Sequence, residues 1–482
     1  MSASPAYTPS DSYGPGRNWG FVASGIVLLL AFAAMVRLHW QFGTLRGAQV
    51  PETIGWYLLA FAGYLGALLW AERRGAPMRW VWAAAVCFRL LLLVTSPTLS
   101  DDVYRYLWDG HVANHGVSPY AYAIDSPQLD HLDTAVRAQA NNSWMASPYL
   151  PAAQGLFLAV TALFPLHPIY LQATMVLFDL ASAWLIGRLL AHVRLPPRRL
   201  LLYLWNPLVI VEVAHGAHVD AWMVFLSLLA IAFALGRSRF SLLNAWPLSP
   251  LFLALAALTK ILPLLLLPVL FWYWDWRQRI LCAVVAAGLL IPSAMRAGWG
   301  LTGALTGQGL FGAIRIYSAQ WNFNGGLFRT VQEAVGATAY GPPAVAARAI
   351  AALALVVVAL VVCWRARTYV RRRDLRFSLR LMAVPLMAYM LLTPTAHPWY
   401  ALFLLAFVPF LAPGRRELRR LWLVALPWIY LSGALVFSYL TYLDPQNFAE
   451  REWVRQLQWA PAHLLLLVAI IATRKSSILI KS

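Results

Sequence analysis

Thirteen long apolar runs, a mean hydropathy of +0.62 and a charged fraction of only 12% predict an all-α polytopic membrane protein. Runs of about 17–25 apolar residues match the hydrocarbon thickness. Inside it every backbone polar group must be bonded within its own segment, which leaves helices as the spanning form. With 61% hydrophobic residues the chain does not read as a soluble globular protein.

Residues 1–19, rich in Ser, Pro, Gly and Tyr, read as a disordered tail, and 20–482 as a single transmembrane domain. The run from Phe21 lacks a cleavage-like site and is followed by further spans, so it reads as a retained anchor. Candidate spans follow at 20–38, 54–70, 80–95, 168–191, 200–214, 218–236, 250–273, 279–295, 343–364, 379–395, 398–412, 421–440 and 460–473. The run 151–164 is short and bounded by Pro, which suits a re-entrant or half-depth helix. Run 250–273 carries Lys260 at its middle and Pro263 just beyond, so it reads as a broken pair that dips in and returns. Cys87, Cys282 and Cys363 have no pairing or metal spacing.

Lys and Arg number 38 against 19 Asp and Glu. Twenty-five of those cations fall in loops 71–79, 188–199, 237–239, 277–279, 365–380, 415–420 and 474–482. Threading the spans in order puts all of these loops on one side, the cytoplasmic side by the positive-inside rule. The surplus is therefore a topology signal with some attraction to anionic lipid, and it excludes nucleic-acid binding as the reading of the charge. There is no clear internal repeat, Walker motif or dinucleotide fingerprint.

The same threading gathers segments 97–150, 214–219, 296–342, 393–398 and 441–459 on the opposite face. The large loop 97–150 opens on Asp101 and Asp102 and holds six Asp against two Arg, opposing the sign of the whole chain. Ser100 suits a helix start, and acids suit a first turn. A helix from there places Asp102, Tyr106 and Asp109 on one face, with Arg105 four residues from both Asp101 and Asp109. Val103 and Leu107 are expected to face the bilayer from a helix lying on its surface.

Carboxylates at a membrane boundary suit a general base, and two adjacent ones point in different directions. Ser118-Pro119-Tyr120 ends the surface helix with an aromatic able to stack on a sugar ring. Glu212, His215 and His218 recur at intervals of three with Asp220 close by, suiting polar contacts to substrate rather than an established metal spacing. Lys260, at a helix break, suits an anion such as phosphate. His397 in TAHPWY, Tyr400, and Arg315, Tyr317, Asn324 and Arg329 around WNFNGG complete the candidates.

In order along the chain, SDDVYRYLWDGHVANHGVSPYAYAID, WNPLVIVEVAHGAHVDA, ALTKILPLLLLP, WNFNGGLF and TAHPWYALFLL resemble the polyprenol-phosphate-sugar-dependent glycosyltransferases of the GT-C superfamily. The likeness is to bacterial polytopic mannosyltransferases, including actinobacterial enzymes that build lipoglycan mannose chains. It implies a bundle of about 12–14 transmembrane helices with a large first outer loop carrying surface helices. It also implies inverting transfer of a hexose, mannose above others, from a polyprenyl-phosphate donor to a glycan or glycolipid. Asp101 or Asp102 would be the base, and Lys260, His397 and Arg315 or Arg329 would hold the departing phosphate. The site would lie on the periplasmic or extracellular face of a bacterial inner membrane. No cofactor is required, although the Asp pair leaves room for a divalent metal. The alternatives are a flippase or transporter of lipid-linked sugars, and a GT-C transferase acting on protein or lipid A.

Overall fold

The computed structural model describes residues 18–235, 247–301, 307–336, 342–411, 418–444, 448 and 450–478. The tail expected at 1–19 lies, apart from its last two residues, outside the described residues, as does the basic loop 237–239. Among the described residues the chain is a helical bundle without β-strands. Among the described residues eight helices are long and apolar enough to cross a membrane, or nine if one bent pair is counted as a single span. The remaining apolar runs that the sequence offered as spans are shorter or interrupted, so the expected 12–14 is approached only by counting them.

The first two helices, Trp19–Phe42 and Val50–Arg74, pack closely through small residues. A Cβ on Gly63 would meet Ser24, Val27 and Leu28 at 3.0 Å. Van der Waals contact of this kind is what holds helices together where lipid is as apolar as the side chains. Helix Met78–Leu92 then meets helix Pro168–His192 through a buried ion pair: Arg89 Nε lies 2.5 Å from Asp179, with both side chains sealed from solvent. Tyr203 donates to the same carboxylate at 2.6 Å, and Arg89 donates to the Leu204 carbonyl at 3.1 Å. Removing one partner of such a pair costs about 3–5 kcal/mol, because the other charge is left buried and unpaired.

Of the two spans expected at 200–214 and 218–236, the first forms short helical pieces, whereas the described part of the second is the unbroken helix Asp220–Leu235. Pro207–His215 and Asp220–Leu235 meet at 116°. The Asn206 side chain caps the Leu208 amide at 3.0 Å, and Pro207 restarts the helix where a missing N–H costs nothing. The chain then widens into a π-helical turn at Val211–His215. Ala217 sits at φ 55°, in the left-handed region that costs an L-residue about 1–2 kcal/mol. Gly216 permits this turn: a Cβ there would lie 2.7 Å from both the Glu212 carbonyl and the His218 ring.

The second break falls where Lys260 and Pro263 placed it. Leu248–Ala257 ends and helical structure resumes at Leu262–Tyr273, leaving Lys260 in the gap. The described part of the run 398–412 is not a span-length helix but a series of short helical pieces, Pro398–Tyr400, Ala401–Leu405 and Val408–Phe410. Pro398 opens the run, and Pro409 removes an amide within it.

The helix of the large loop forms at Asp102–Asn114, and Ser100 Oγ accepts from the Asp102 amide at 3.3 Å. It does not lie on lipid. Val103 and Leu107, expected to face the bilayer, are fully buried. Its neighbour is the short helix Pro151–Leu163, which approaches so closely that a Cβ on Gly110 would lie 2.5 Å from the Phe157 carbonyl. Tyr106 stacks on Phe157 with ring centres 4.6 Å apart. The polarity of the helix had suggested a surface position, but the apolar helix that follows covers it.

Candidate active site

The π-helical turn and the left-handed Ala217 bring Glu212 and His218 face to face, with His218 Nε2 3.2 Å from the Glu212 carboxylate. On its other side His218 Nδ1 lies 3.7 Å from Asp102. Glu212 also accepts from the Tyr439 hydroxyl at 2.6 Å. Asp102 accepts from Asn141 at 2.7 Å and from the Tyr106 hydroxyl at 3.4 Å. Burial, with the Asp102 and Asp220 charges adding to it, pushes the Tyr106 phenol well above its usual range, so it stays protonated and donates. The His218 imidazole is thus buried between two carboxylates contributed by different parts of the chain.

The ring of His218 lies on Trp399, centres 3.9 Å apart and planes 13° from parallel. Trp399 continues onto His397 at 4.4 Å, and His397 onto Phe323 at 4.9 Å. This four-ring stack joins motifs that are far apart in sequence. Its backbone support is a short pairing in which the Phe323 amide donates to the Pro394 carbonyl and the Ala396 amide to the Phe323 carbonyl. Asn324, at φ 55°, donates its side-chain amide to the Ala396 carbonyl, and its own carbonyl accepts from Trp459. Asn324 therefore fixes the frame of the stack.

At the second helix break Lys260 Nζ lies 2.6 Å from Asp220, which is fully buried. The lysine also sits 5.2 Å from the centre of the Tyr400 ring, and Tyr400 shares a short hydrogen bond with Tyr317. An ammonium has three donors, and Asp220 together with the aromatic face leaves it poised for a further anion. Asp102, His218 and Lys260 all act electrostatically on the His397 ring. Burial, with His218 and Lys260 adding to it and only Asp102 opposing, pushes that imidazole down to about 3. Burial therefore favours the uncharged His397 ring, which weighs against the cationic phosphate contact expected of it.

The two adjacent aspartates part company. Asp101 pairs with Arg46 at 2.9 Å and is partly exposed, whereas Asp102 enters the cluster. Arg105 and Asp109, expected as substrate contacts, bond each other at 2.9 Å inside the protein. Asp109 also takes hydrogen bonds from Ser147 and Gln154, and Arg105 donates to the Met145 carbonyl, so the pair secures the loop rather than facing a ligand. Tyr120 is likewise buried, its hydroxyl on the Tyr149 carbonyl at 2.8 Å. His215 uses both nitrogens locally: Nε2 accepts from the Thr98 amide at 3.1 Å, so Nδ1 carries the proton and donates to Thr95 at 2.8 Å. It pins the start of the large loop. Arg315 donates to the Leu301 carbonyl, and Arg329 pairs with Glu333 four residues on.

Trp399, Tyr439 and Asn141 were not singled out in the sequence. Trp399 had a signal, lying inside the quoted HPWY motif; the other two had none. Among the described residues no three His, Cys, Asp or Glu side chains gather as a metal site.

Fold and cluster together define a class: a multi-pass membrane enzyme whose acid–base groups, cation and stacked rings suit glycosyl transfer. The sequence model of the family described as α-(1→6)-mannopyranosyltransferase, N-terminal domain, matches residues 20–276, and the chain belongs to that family and is a mannosyltransferase. It is also 26% identical to α-(1→6)-mannopyranosyltransferase A of Mycobacterium tuberculosis, over 86% of this chain and 83% of that one. No solved structure matches. The matched stretch holds Asp102, Glu212, His218, Asp220 and Lys260, while the Phe323–His397–Trp399 rings lie beyond it.

Proposed function

We propose that this protein moves a mannosyl group from a polyprenyl-phosphate-linked donor to a hydroxyl of a glycan or glycolipid, forming an α-(1→6) linkage with inversion. The observation that carries this reading is the convergence of a base-competent carboxylate, Asp102, and a cation at a helix break, Lys260, on one stack of rings. In this scheme Asp102 takes the proton of the acceptor hydroxyl while its oxygen attacks the anomeric carbon. The bond from that carbon to the phosphate oxygen breaks on the opposite face, and the phosphate leaves with the electron pair. Lys260, steadied by Asp220, stabilises the charge that develops there. Asn141 and Tyr106 hold the Asp102 carboxylate in position by donating to it. One displacement with one base gives inversion. No step in the scheme needs a cofactor, and the phosphate carries the leaving charge.

Positive-inside asymmetry supports placing this site on the periplasmic or extracellular face of a bacterial inner membrane. A lipid-linked donor would then reach it from the bilayer. The carrier alternative calls for charges along a path through the bundle. The Arg89–Asp179 pair is closed on itself and on Tyr203 and Leu204 rather than lining one.

The test is transfer by purified protein in nanodiscs, with labelled polyprenyl-phosphate-mannose and a membrane glycolipid extract. Label should pass to a product whose linkage analysis gives α-(1→6)-mannose. Transfer from a nucleotide-sugar alone, with none from the lipid-linked donor, would overturn the proposal.

A further inference from the structure

Helix Pro342–Arg371 starts beside the ring stack, where Arg348 donates to the Trp321 carbonyl, and ends about 45 Å away at the opposite end of the bundle. Only 17% of its most apolar window is buried inside the protein, so most of its surface is left for lipid. Leu353, Val357, Leu360, Val361 and Trp364 are all exposed. Extending the same face by sevens leads from Leu353 through Leu360 to Arg367, from Val357 through Trp364 to Arg371, and from Val361 to Thr368. A seven-residue step is two turns, so the greasy stripe and these polar residues share one side of the helix.

At the polar end Trp364, Arg367, Thr368, Arg371 and Arg372 border an open recess of about 370 Å³ along one face of the helix. Among the described residues no carboxylate lies within ion-pairing distance of Arg367, Arg371 or Arg372. The nearby acid Asp374 caps the next helix, accepting from the Phe377 amide at 3.0 Å. Three like charges therefore stand together unneutralised beside an exposed Trp, with an acyl-length apolar stripe running away from them.

We infer that this face is a binding site for one anionic phospholipid of the leaflet opposite the active site, its phosphate held by Arg367, Arg371 and Arg372 and its chains lying along Leu360, Val357 and Leu353. Arginine is suited to this contact because its fork of donors matches phosphate oxygens. Thr368 adds a hydroxyl donor, and Trp364 marks the headgroup depth. The stripe decides for a lipid over free phosphate, because a soluble anion would gain nothing from it. The site is independent of the transfer reaction proposed above.

Native mass spectrometry of the delipidated full chain, titrated with phosphatidylglycerol or phosphatidylcholine, tests it. One phosphatidylglycerol should be retained in preference to phosphatidylcholine. Replacing Arg367, Arg371 and Arg372 together by Gln should weaken that retention about 10- to 100-fold, given the usual contribution of each membrane-surface arginine. The exposed cluster Arg73, Arg74 and Arg79, changed to Gln in a second variant, should leave retention intact. Equal loss in both variants would mean diffuse charge attraction and would overturn the site. So would competition by inorganic phosphate or water-soluble glycerophosphoglycerol at the concentration of the lipid, since the stripe would then have no part. Unchanged melting temperature in both variants separates either result from misfolding.

Discussion

The two ends of the bundle use charge in opposite ways. Around Asp102, Glu212, His218, Asp220 and Lys260 the ionisable groups are mostly buried, and each lies against a carboxylate, an imidazole, a hydroxyl or an ammonium. Around Arg367, Arg371 and Arg372 the charges are exposed and stand beside one another. Burial makes the first set expensive, so it persists only with partners in place and is arranged for chemistry. Exposure makes the second set cheap, so it can mark topology and meet lipid without a fixed protein partner. A count of charged residues along the chain does not distinguish these two uses.

The sharpest way to break this comparison is at the adjacent aspartates. Asp102→Asn should lower the transfer rate by about 10²–10⁴, as loss of a general base does, with the protein still folded. Asp101→Asn should change it by less than about tenfold, because its partly exposed pairing with Arg46 is worth only about 0–1 kcal/mol. Equal losses would place the base elsewhere. Lys260→Met comes next. It should raise the donor KM by about tenfold or more while leaving the acceptor KM within about twofold; an unchanged donor KM would reduce Lys260 to a partner of Asp220.

A smaller effect concerns pH. The folded pKa of His397 is depressed to about 3, so between that value and about 6.5 the unfolded chain holds a proton that the folded chain lacks. Stability should therefore rise with pH through this window and fall as the medium is acidified from 6.5 toward 3. Denaturant melts of His397→Asn should show an acid slope shallower by up to one proton. A slope unchanged from wild type would mean that His397 titrates normally. Smallest of all, the Arg367, Arg371 and Arg372 to Gln variant should keep its transfer rate within about twofold in neutral-lipid nanodiscs. A large loss there would show that the two ends are coupled.

Some of the site was legible because its causes are local. The helix at Asp102, the break at Lys260 and the short apolar helix Pro151–Leu163 follow from capping residues, a mid-run cation and Pro spacing. The wrong readings arose where a residue's partner lies elsewhere in the chain. Arg105 and Asp109 look like ligand contacts until Ser147 and Gln154 close on them. His215 looks like a companion of His218 until Thr95 and Thr98 take both its nitrogens. Val103 and Leu107 look lipid-facing until they are found fully buried.

By itself the sequence determined that this chain is a helical membrane protein, that its cations and its motifs fall in different loops, and the family resemblance. Those depend on hydropathy, on the sign of loop charges and on motif order, all written in one dimension. The tertiary structure alone decided which aspartate enters the cluster, that His397 is a member of a ring stack, and that Trp399 joins the two histidines. Charge state and hydrogen-bond capacity depend on burial and on partners tens to hundreds of residues away, and only packing brings those partners within reach.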